Sequence, residues 1–355
     1  MSEFKTKWSF AVRERLKGRD TARVLHDMET RQWWSREGIL ALQLERLRAF
    51  LRDVGAHVPY YRETFARLGF DAANVKSLAD FQRLPLLTLA EVRAHADALR
   101  IEGQSDAARV EIGGGNGEPL VLGVGRERMA HDLAALYRAL RWWEVDVGES
   151  GVVVWGPPIE DEARGLPGGS GEKLAGASTL MAFELSDAKA ARFVARIRKT
   201  SPKMLLGNPS TLLYLGDCAD KEGVTLNDVG ARVTMTLGEP LVEEQRKSIA
   251  RHFGAPVAYG LGDAVCGLVA FQCPAGGLHV NAEHVVVEIV DADGKPLPAG
   301  HAGEIVVTNL TGREFPFVRY RTGYVGTLDW DTCTCRRGLP ALKDVRAADT
   351  TAAGR

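Results

Sequence analysis

No stretch of about 18 apolar residues occurs in this 355-residue chain, so the sequence offers no conventional membrane-spanning helix. Between Met1 and Asp20 the apolar residues are isolated among Lys5, Lys7, Arg13, Arg15 and Lys17, and the continuous apolar core of a secretory signal is missing. An excess of either charge is missing too. Lys and Arg number 45 against 46 Asp and Glu, a formal net charge of -1 that gives no long-range field to select nucleic acid or an anionic membrane. Cysteine is scarce at five residues, too few for a disulfide scaffold in a chain this long. These absences lead to the expectation of a cytoplasmic protein that partners neither nucleic acid nor membrane. The composition that remains, 45% hydrophobic and 26% charged, suffices for a large core in one big domain or two intimately packed ones.

The pattern along the chain predicts an α/β protein. From Asp20 to about Leu68 the apolar residues recur at helical spacing, with a break at His57-Val58-Pro59. Thr88 followed by Glu91 has capping-box spacing, and Arg128 to Trp143 reads as a strong helix. Short β-runs at Gly151–Trp155, Met204–Leu206 and Arg232–Leu237 then alternate with helices at Ala188–Lys199 and Glu243–Phe253, the pattern of a largely parallel sheet covered on both faces. From Gly277 the texture turns antiparallel, with Val285–Val290, a turn at Asp291-Ala292-Asp293-Gly294, and Gly303–Thr308. The expected division is an N-terminal helical and α/β body over 1–275, a β-rich subdomain over 276–345 and a tail over 346–355.

A succession of motifs carries a resemblance. His57-Val58-Pro59-Tyr60-Tyr61-Arg62 and Leu84-Pro85 are followed in order by Gly238-Glu239-Pro240, Tyr259-Gly260-Leu261-Gly262-Asp263, Gly277-Leu278-His279 and Gly303-Glu304-Ile305-Val306-Val307-Thr308. Phe315-Pro316-Phe317-Val318-Arg319-Tyr320-Arg321-Thr322-Gly323 and Cys333-Thr334-Cys335 complete the series. Over roughly residues 30 to 345 the chain resembles the phenylacetate-coenzyme A ligase branch of the adenylate-forming enzymes. The resemblance implies the large N-terminal domain of that superfamily, a mixed and largely parallel set of sheets with helices, plus a smaller β-rich subdomain stapled by zinc. It also implies that the chain stops where the family's hinge begins, near Lys343 to Asp349, without the mobile C-terminal domain that brings the adenylation lysine. A homodimer, or a partner protein supplying that domain, is the corresponding expectation.

Cys273, His279, Cys333 and Cys335 give C-x5-H followed by C-x-C. Three thiolates and one imidazole suit tetrahedral zinc with no position left for water, hence a structural site; the alternative is a buried apolar Cys273 beside an incidental pair. The resemblance favours zinc. The nucleotide motifs, by contrast, are altered. The family's Ser/Thr/Gly-rich phosphate loop matches Ile112 to Pro119, where Gly113 and Gly115 persist but Glu118 stands in place of a lysine. A carboxylate there repels a triphosphate, and the segment also reads as a plain flexible loop. Asp263 replaces the family's magnesium-binding Glu and can still be a hard oxygen ligand or simply a cap. Tyr324 replaces the Asp that accepts the ribose hydroxyls; a phenol lacks that bidentate acceptance and adds bulk. Arg321 persists, as phosphate ligand or structural ion-pair partner. These changes make ATP and magnesium use doubtful.

For substrate, the resemblance points to a pocket near Tyr137, Trp142, Trp155, Tyr214, Gly238, Pro240, Tyr259 and Gly260, suited to a small aromatic or acyl ligand at the ends of the parallel strands. Each ring also reads as core packing. His131, Glu239 and Asp263 are the candidate catalytic groups. Three readings follow: a degenerate carboxylate-activating ligase homologue with impaired ATP use, an ATP-independent enzyme of specialised metabolism (condensation, cyclisation or transfer) using the old acid pocket, or a non-catalytic ligand-binding protein.

Overall fold

Strands with both faces covered, flanked by one largely buried helix, form the centre of the molecule. The computed structural model describes residues 3–103, 108–114, 117–155, 174–181, 186–330 and 333–348, with backbone alone at 3–7, 108–114, 117–119, 155 and 181. The chain begins with helices α1 (Glu3–Leu16), α2 (Thr21–Arg31), α3 (Arg36–His57), α4 (Pro59–Leu68), α5 (Leu78–Phe81) and α6 (Leu89–Ala94). α3 and α4 part at Val58, whose extended backbone precedes Pro59, as the residue before a proline is driven to do. Thr88 caps α6 through the expected box: its Oγ1 accepts from Glu91 N–H at 3.2 Å, and the Glu91 carboxylate accepts from Thr88 N–H at 2.7 Å.

Next come an antiparallel hairpin, β1 (Ala108–Gly114) and β2 (Gly117–Val124), and the long helix α7 (Arg126–Trp142). The glycine-rich segment expected as a loop is therefore largely strand. Gly113 lies on β1, Glu118 on β2, and Gly115 falls outside the described residues. The α/β region continues as β3 (Gly151–Trp155), β4 (Ala177–Met181), α8 (Asp187–Thr200), β5 (Met204–Gly207), α9 (Pro209–Lys221), β6 (Val233–Thr236) and α10 (Glu243–Phe253). Strands β7 (Val257–Asp263), β8 (Gly267–Gln272), β9 (Leu278–Val280), β10 (Val285–Val290), β11 (Gly303–Asn309), β12 (Tyr320–Asp329) and β13 (Ala341–Ala347) complete it.

Apart from β1 and β2 these strands make one 11-stranded sheet in the order β10-β11-β12-β13-β9-β8-β7-β6-β5-β3-β4. From β4 to β7 neighbours pair parallel; from β7 to β10 they pair antiparallel. Antiparallel pairing thus begins at β7 and β8, upstream of Gly277, and the sheet and main core run across residue 275. β13 extends to Ala347, into the expected tail.

Period-two alternation explains the layers. Val152, Val154 and Leu205 pack against Val194, Ile197, Leu212, Leu215 and Ile249 of α8, α9 and α10, whereas Val153, Leu206 and Met235 join the core that contains α7. Thirteen of the 17 residues of α7 are buried, among them Arg128, His131, Asp132 and Arg138. Each buried charge on this helix consequently has a specific partner. Arg138 pairs with Glu283 and donates to Asn281 Oδ1 at 2.8 Å, while Arg128 lies 3.4 Å from Asp132. A second buried fork, Arg319 to Glu288 at 3.0 and 3.1 Å, also donates to Gln82 O at 2.7 Å and so fixes the extended Leu84–Leu87 segment to the sheet. Among the described residues no helix is long and apolar enough to cross a membrane.

Candidate functional site

The loop between β8 and β9 and the loop between β12 and β13 converge at one end of the sheet, bringing Cys273, His279, Cys333 and Cys335 together. One ligand atom from each lies within 4.8 Å of all the others. Cys273 Sγ is 3.5 Å from Cys333 Sγ, and His279 Nε2 is 3.1 Å from Cys335 Sγ. His279 Nδ1–H donates to Leu339 O at 3.1 Å, which selects the tautomer whose Nε2 lone pair faces the sulphurs. Burial holds His279 neutral, its pKa lowered to about 4, and pushes the metal-free Cys273 thiol up to about 12, with Cys333 and Cys335 adding to the rise. Gly277 leaves the space: a Cβ there would lie 2.7 Å from Cys333 Sγ and 2.9 Å from His279 Nε2. The donor set, the fixed tautomer and the glycine cradle fit a tetrahedral metal. Arg337 stands at the rim, its guanidinium 4.5 Å from the Trp142 ring centroid, and Trp142 meets the His279 ring edge-on at 5.8 Å.

A second constellation occupies the carboxyl ends of the parallel strands. Leu237 N–H donates to Gly207 O at 3.1 Å, and Gly238, at φ +82°, turns the chain so that Glu239 caps α9, accepting from Ser210 Oγ at 2.7 Å and Ser210 N–H at 3.2 Å. Gly260 on β7 is forced by packing, since a Cβ would stand 2.3 Å from Leu237 Cδ2. At the end of β7, Asp263 Oδ1 accepts Cys266 N–H at 2.6 Å. The turn it closes is held by three more side chains. Arg128 Nη2 donates to Ala264 O at 2.7 Å, Asn309 Nδ2 to Cys266 O at 2.9 Å, and Asp132 Oδ1 accepts Leu268 N–H at 3.0 Å. Burial raises the pKa of Asp263 above the usual carboxylate range, although Arg128 opposes the rise. Tyr324 on β12 feels Asp263, Cys266 and Glu239, and Tyr259 in turn feels Tyr324; burial first, then these neighbours, raises both phenols.

No family model matches the chain. Among curated proteins it is 29% identical over 309 residues to the phenylacetate-coenzyme A ligase of Thermus thermophilus, covering 85% of this chain and 68% of the relative. The Pseudomonas putida phenylacetate-coenzyme A ligase is likewise 29% identical over 311 residues, at 85% and 69% coverage. This chain is a homologue of the phenylacetate-coenzyme A ligases. Solved structures give the same fold. A 2-hydroxyisobutyryl-CoA ligase in complex with 2-HIB-AMP and CoA in its thioesterification state superposes with a TM-score of 0.79 at 21% identity, covering 90% of this chain and 70% of that one. An open conformation of that ligase gives 0.74 at 22% identity, covering 86% and 74%.

The structure of this ligase homologue gathers some of the singled-out residues and disperses others. Gly238, Glu239 and Pro240 follow β6, Tyr259, Gly260 and Asp263 lie on the neighbouring β7, and Tyr324, midway along β12, is within electrostatic reach of Asp263 and Glu239. Arg321 points elsewhere: both oxygens of Glu304 take its Nε, at 2.9 and 3.0 Å, in a part-buried ion pair. His131 faces the N-terminal helices, with Nδ1–H donating to Glu127 O at 2.9 Å and its ring 5.2 Å from His284. Tyr137 is core, its hydroxyl accepting Ala175 N–H at 2.8 Å and its ring edge-on to Phe10. Trp142 belongs to the metal end. Tyr214, on the outer helix α9, hydrogen-bonds Asp187. Trp155 ends β3, its side chain outside the description, as is that of Glu118. Sequence reading missed Arg128, Asp132 and Asn309; an Arg and an Asp four apart in an otherwise apolar helix were the available signal.

Proposed function

We propose that the chain is a carboxylate-activating ligase homologue that keeps an aryl or acyl acid pocket at the strand ends while its use of ATP and magnesium is impaired. The observation that carries this reading is Tyr324, a half-buried phenol placed beside Asp263 and Glu239 where the resemblance places a ribose-binding carboxylate. Its ring takes space near the sugar, and a phenol cannot accept two hydroxyls as a carboxylate does. The saturated Arg321–Glu304 pair supports the same reading, because a guanidinium already held by a carboxylate is a poor phosphate ligand. Glu118 adds negative charge where phosphates would lie. The two substitutions and the pairing of the retained arginine oppose one ligand.

Within this proposal Gly238, Pro240, Tyr259 and Gly260 border the acid, Glu239 orders the end of α9, and Asp263, whose pKa is raised, can hold or release a proton. Zinc bound by Cys273, His279, Cys333 and Cys335 would be structural, tying the loop after β8 to the loop before β13 and adding to folding free energy. Tyr324 equally favours the second reading, an ATP-independent reaction in the old acid pocket, since it brings a phenolic O–H to that place. Calorimetric titration of the protein with ATP and magnesium, with and without aromatic carboxylates, tests the proposal. Acid binding with absent or weak ATP binding is expected. ATP binding in the low micromolar range would overturn it and make an ordinary adenylation the leading account.

A further inference from the structure

Between the N-terminal helices and α7 lies a cavity of about 180 Å³ outside the strand-end site. It exceeds the roughly 10–15 Å³ that one water needs by an order of magnitude. Its walls are unusual in holding four guanidinium groups: Arg23 and Arg31 on α2, Arg46 on α3 and Arg313 after β11. Three are matched. Arg23 pairs with Asp20 at 2.5 Å and Asp27 at 3.6 Å, Arg31 with Asp27 at 3.3 Å, and Arg313 with Asp53 at 2.7 Å and Glu127 at 3.0 Å.

Arg46 is the exception. Its Nη1 donates to the main-chain oxygen of Glu283 at 2.7 Å, and among the described residues no carboxylate lies within ion-pair distance of it. The Glu283 side chain, though part of the wall, is neutralised from behind by Arg138. A partly buried guanidinium without a counter-charge is costly to keep, and the cost falls when an anion enters beside it. The surrounding field agrees. Burial and then Arg31 pull the Arg46 pKa down against the opposing pull of Glu283, Glu127 and Asp27, and His131, which lines the same cavity, is lowered to about 4 by burial and then by Arg46, Arg23 and Arg31. At His131 the charged neighbours that act on the ring are all arginines.

We propose that this cavity is a binding site for a small oxyanion, a phosphate or carboxylate group, with Arg46 as its principal donor and Arg31 as the flanking cation. Planar guanidinium N–H forks match such oxygens better than any other side chain. The site is separate from the strand-end constellation: Glu127 and His131 face the cavity, whereas Arg128 and Asp132, one position further round α7, face the turn after Asp263.

The test uses the metal-loaded protein in low-salt buffer, titrated in separate arms with inorganic phosphate and with acetate and succinate, by calorimetry and by thermal melting. Saturable binding in one arm identifies the oxyanion source. Arg46→Met, which keeps an apolar stem, should weaken that binding at least tenfold and abolish the anion-induced rise in Tm, while raising Tm in anion-free buffer because the uncompensated charge is gone. Arg31→Met should weaken binding less, and gives a second reading if Arg46→Met fails to fold. Arg198→Met, at an exposed pair on α8, should leave anion binding and the anion-induced rise in Tm unchanged. No saturable binding in any arm, or binding unaltered by both cavity variants, would overturn the proposal.

Discussion

Gly277 and Cys333 approach so closely that a methyl group on Gly277 would stand 2.7 Å from the Cys333 sulphur. That gap is tighter than real side-chain contacts allow, and on the same side a methyl would crowd His279 Nε2 at 2.9 Å. Gly277→Ala should therefore lower metal content below one ion per chain and depress Tm, with Cys333→Ser doing the same by removing a ligand. Metal analysis of protein prepared without chelator, alongside melting curves, checks both. One full equivalent of zinc in Gly277→Ala would show that the cradle is unimportant.

Metal binding should release protons. With the metal-free Cys273 thiol raised to about 12, it is protonated throughout the neutral range, and its proton must leave when a thiolate ligates. His279, lowered to about 4, is already neutral and contributes none above about pH 5. Affinity should rise with pH, about tenfold per unit for each displaced proton. Calorimetry in buffers of different ionisation enthalpy reads the number released, and a count of zero would contradict the assignment.

Acid should weaken the fold through the buried histidine pair. His131 titrates near 4 in the folded chain and His284 is also lowered well below its ordinary value, burial leading in both cases. The unfolded chain binds protons at about 6.5, so stability is fully present above that pH and falls as pH drops toward 4, by up to ~1.4 kcal/mol per unit for each histidine. Urea denaturation at pH 7.5, 6 and 5 should show the slope. His131→Leu should flatten it.

The Arg138–Glu283 pair is buried at both ends, so Arg138→Met strands a carboxylate in the core and should cost about 3–5 kcal/mol. Removing the exposed partner in Arg198→Met should cost far less, because solvent screens that pair. Denaturant midpoints compare them, and similar values for the two would argue that Glu283 is rescued by its neighbours.

Tyr324→Asp combined with Glu118→Lys should raise ATP affinity more than either change alone, since both act on one bound molecule. Tyr324→Asp alone should need magnesium, because the new carboxylate joins Asp263 and Glu239. Calorimetry in an Arg46→Met background keeps any heat from the arginine-lined cavity out of the comparison. A double variant that binds ATP no better than the single ones would mean that the two positions do not act on one nucleotide.

Much of the parallel region is legible in the sequence because its strands are short β-branched runs between amphipathic helices, and the metal cluster is legible because Cys and His spacing is chemically narrow. The β7–β8 and β12–β13 strands are harder to read. Tyr259, Gly260 and Gly262 of β7 carry little apolar alternation, and the 320–329 strand is rich in Thr, Gly and Tyr. Gly262 in particular is in a strand by necessity of space: a Cβ there would lie 2.4 Å from Gly267 O. The aromatic pocket residues disperse because a ring at helical spacing satisfies core packing as well as ligand contact, and only tertiary structure separates Tyr137 from Tyr259. His131 reads as a free acid or base because its burial, and then the arginines that further suppress its protonation, come from tertiary packing against helices far earlier in the chain.

The strand β9 is three residues long, yet it is the link in the sheet between the mainly parallel half and the antiparallel half, and one of its residues is His279 of the Cys/His cluster. Only Leu278 and His279 pair with β13, aided by Val280 N–H donating to Pro340 O at 2.9 Å. These two residue pairs are the narrowest ladder in the sheet, and beyond it the two halves are joined by side chains of the shared core. Stripping the metal should let amides along β9 and β13 exchange with solvent deuterium well before those of β5 and β6, so that the chain loosens along one line while its halves stay folded.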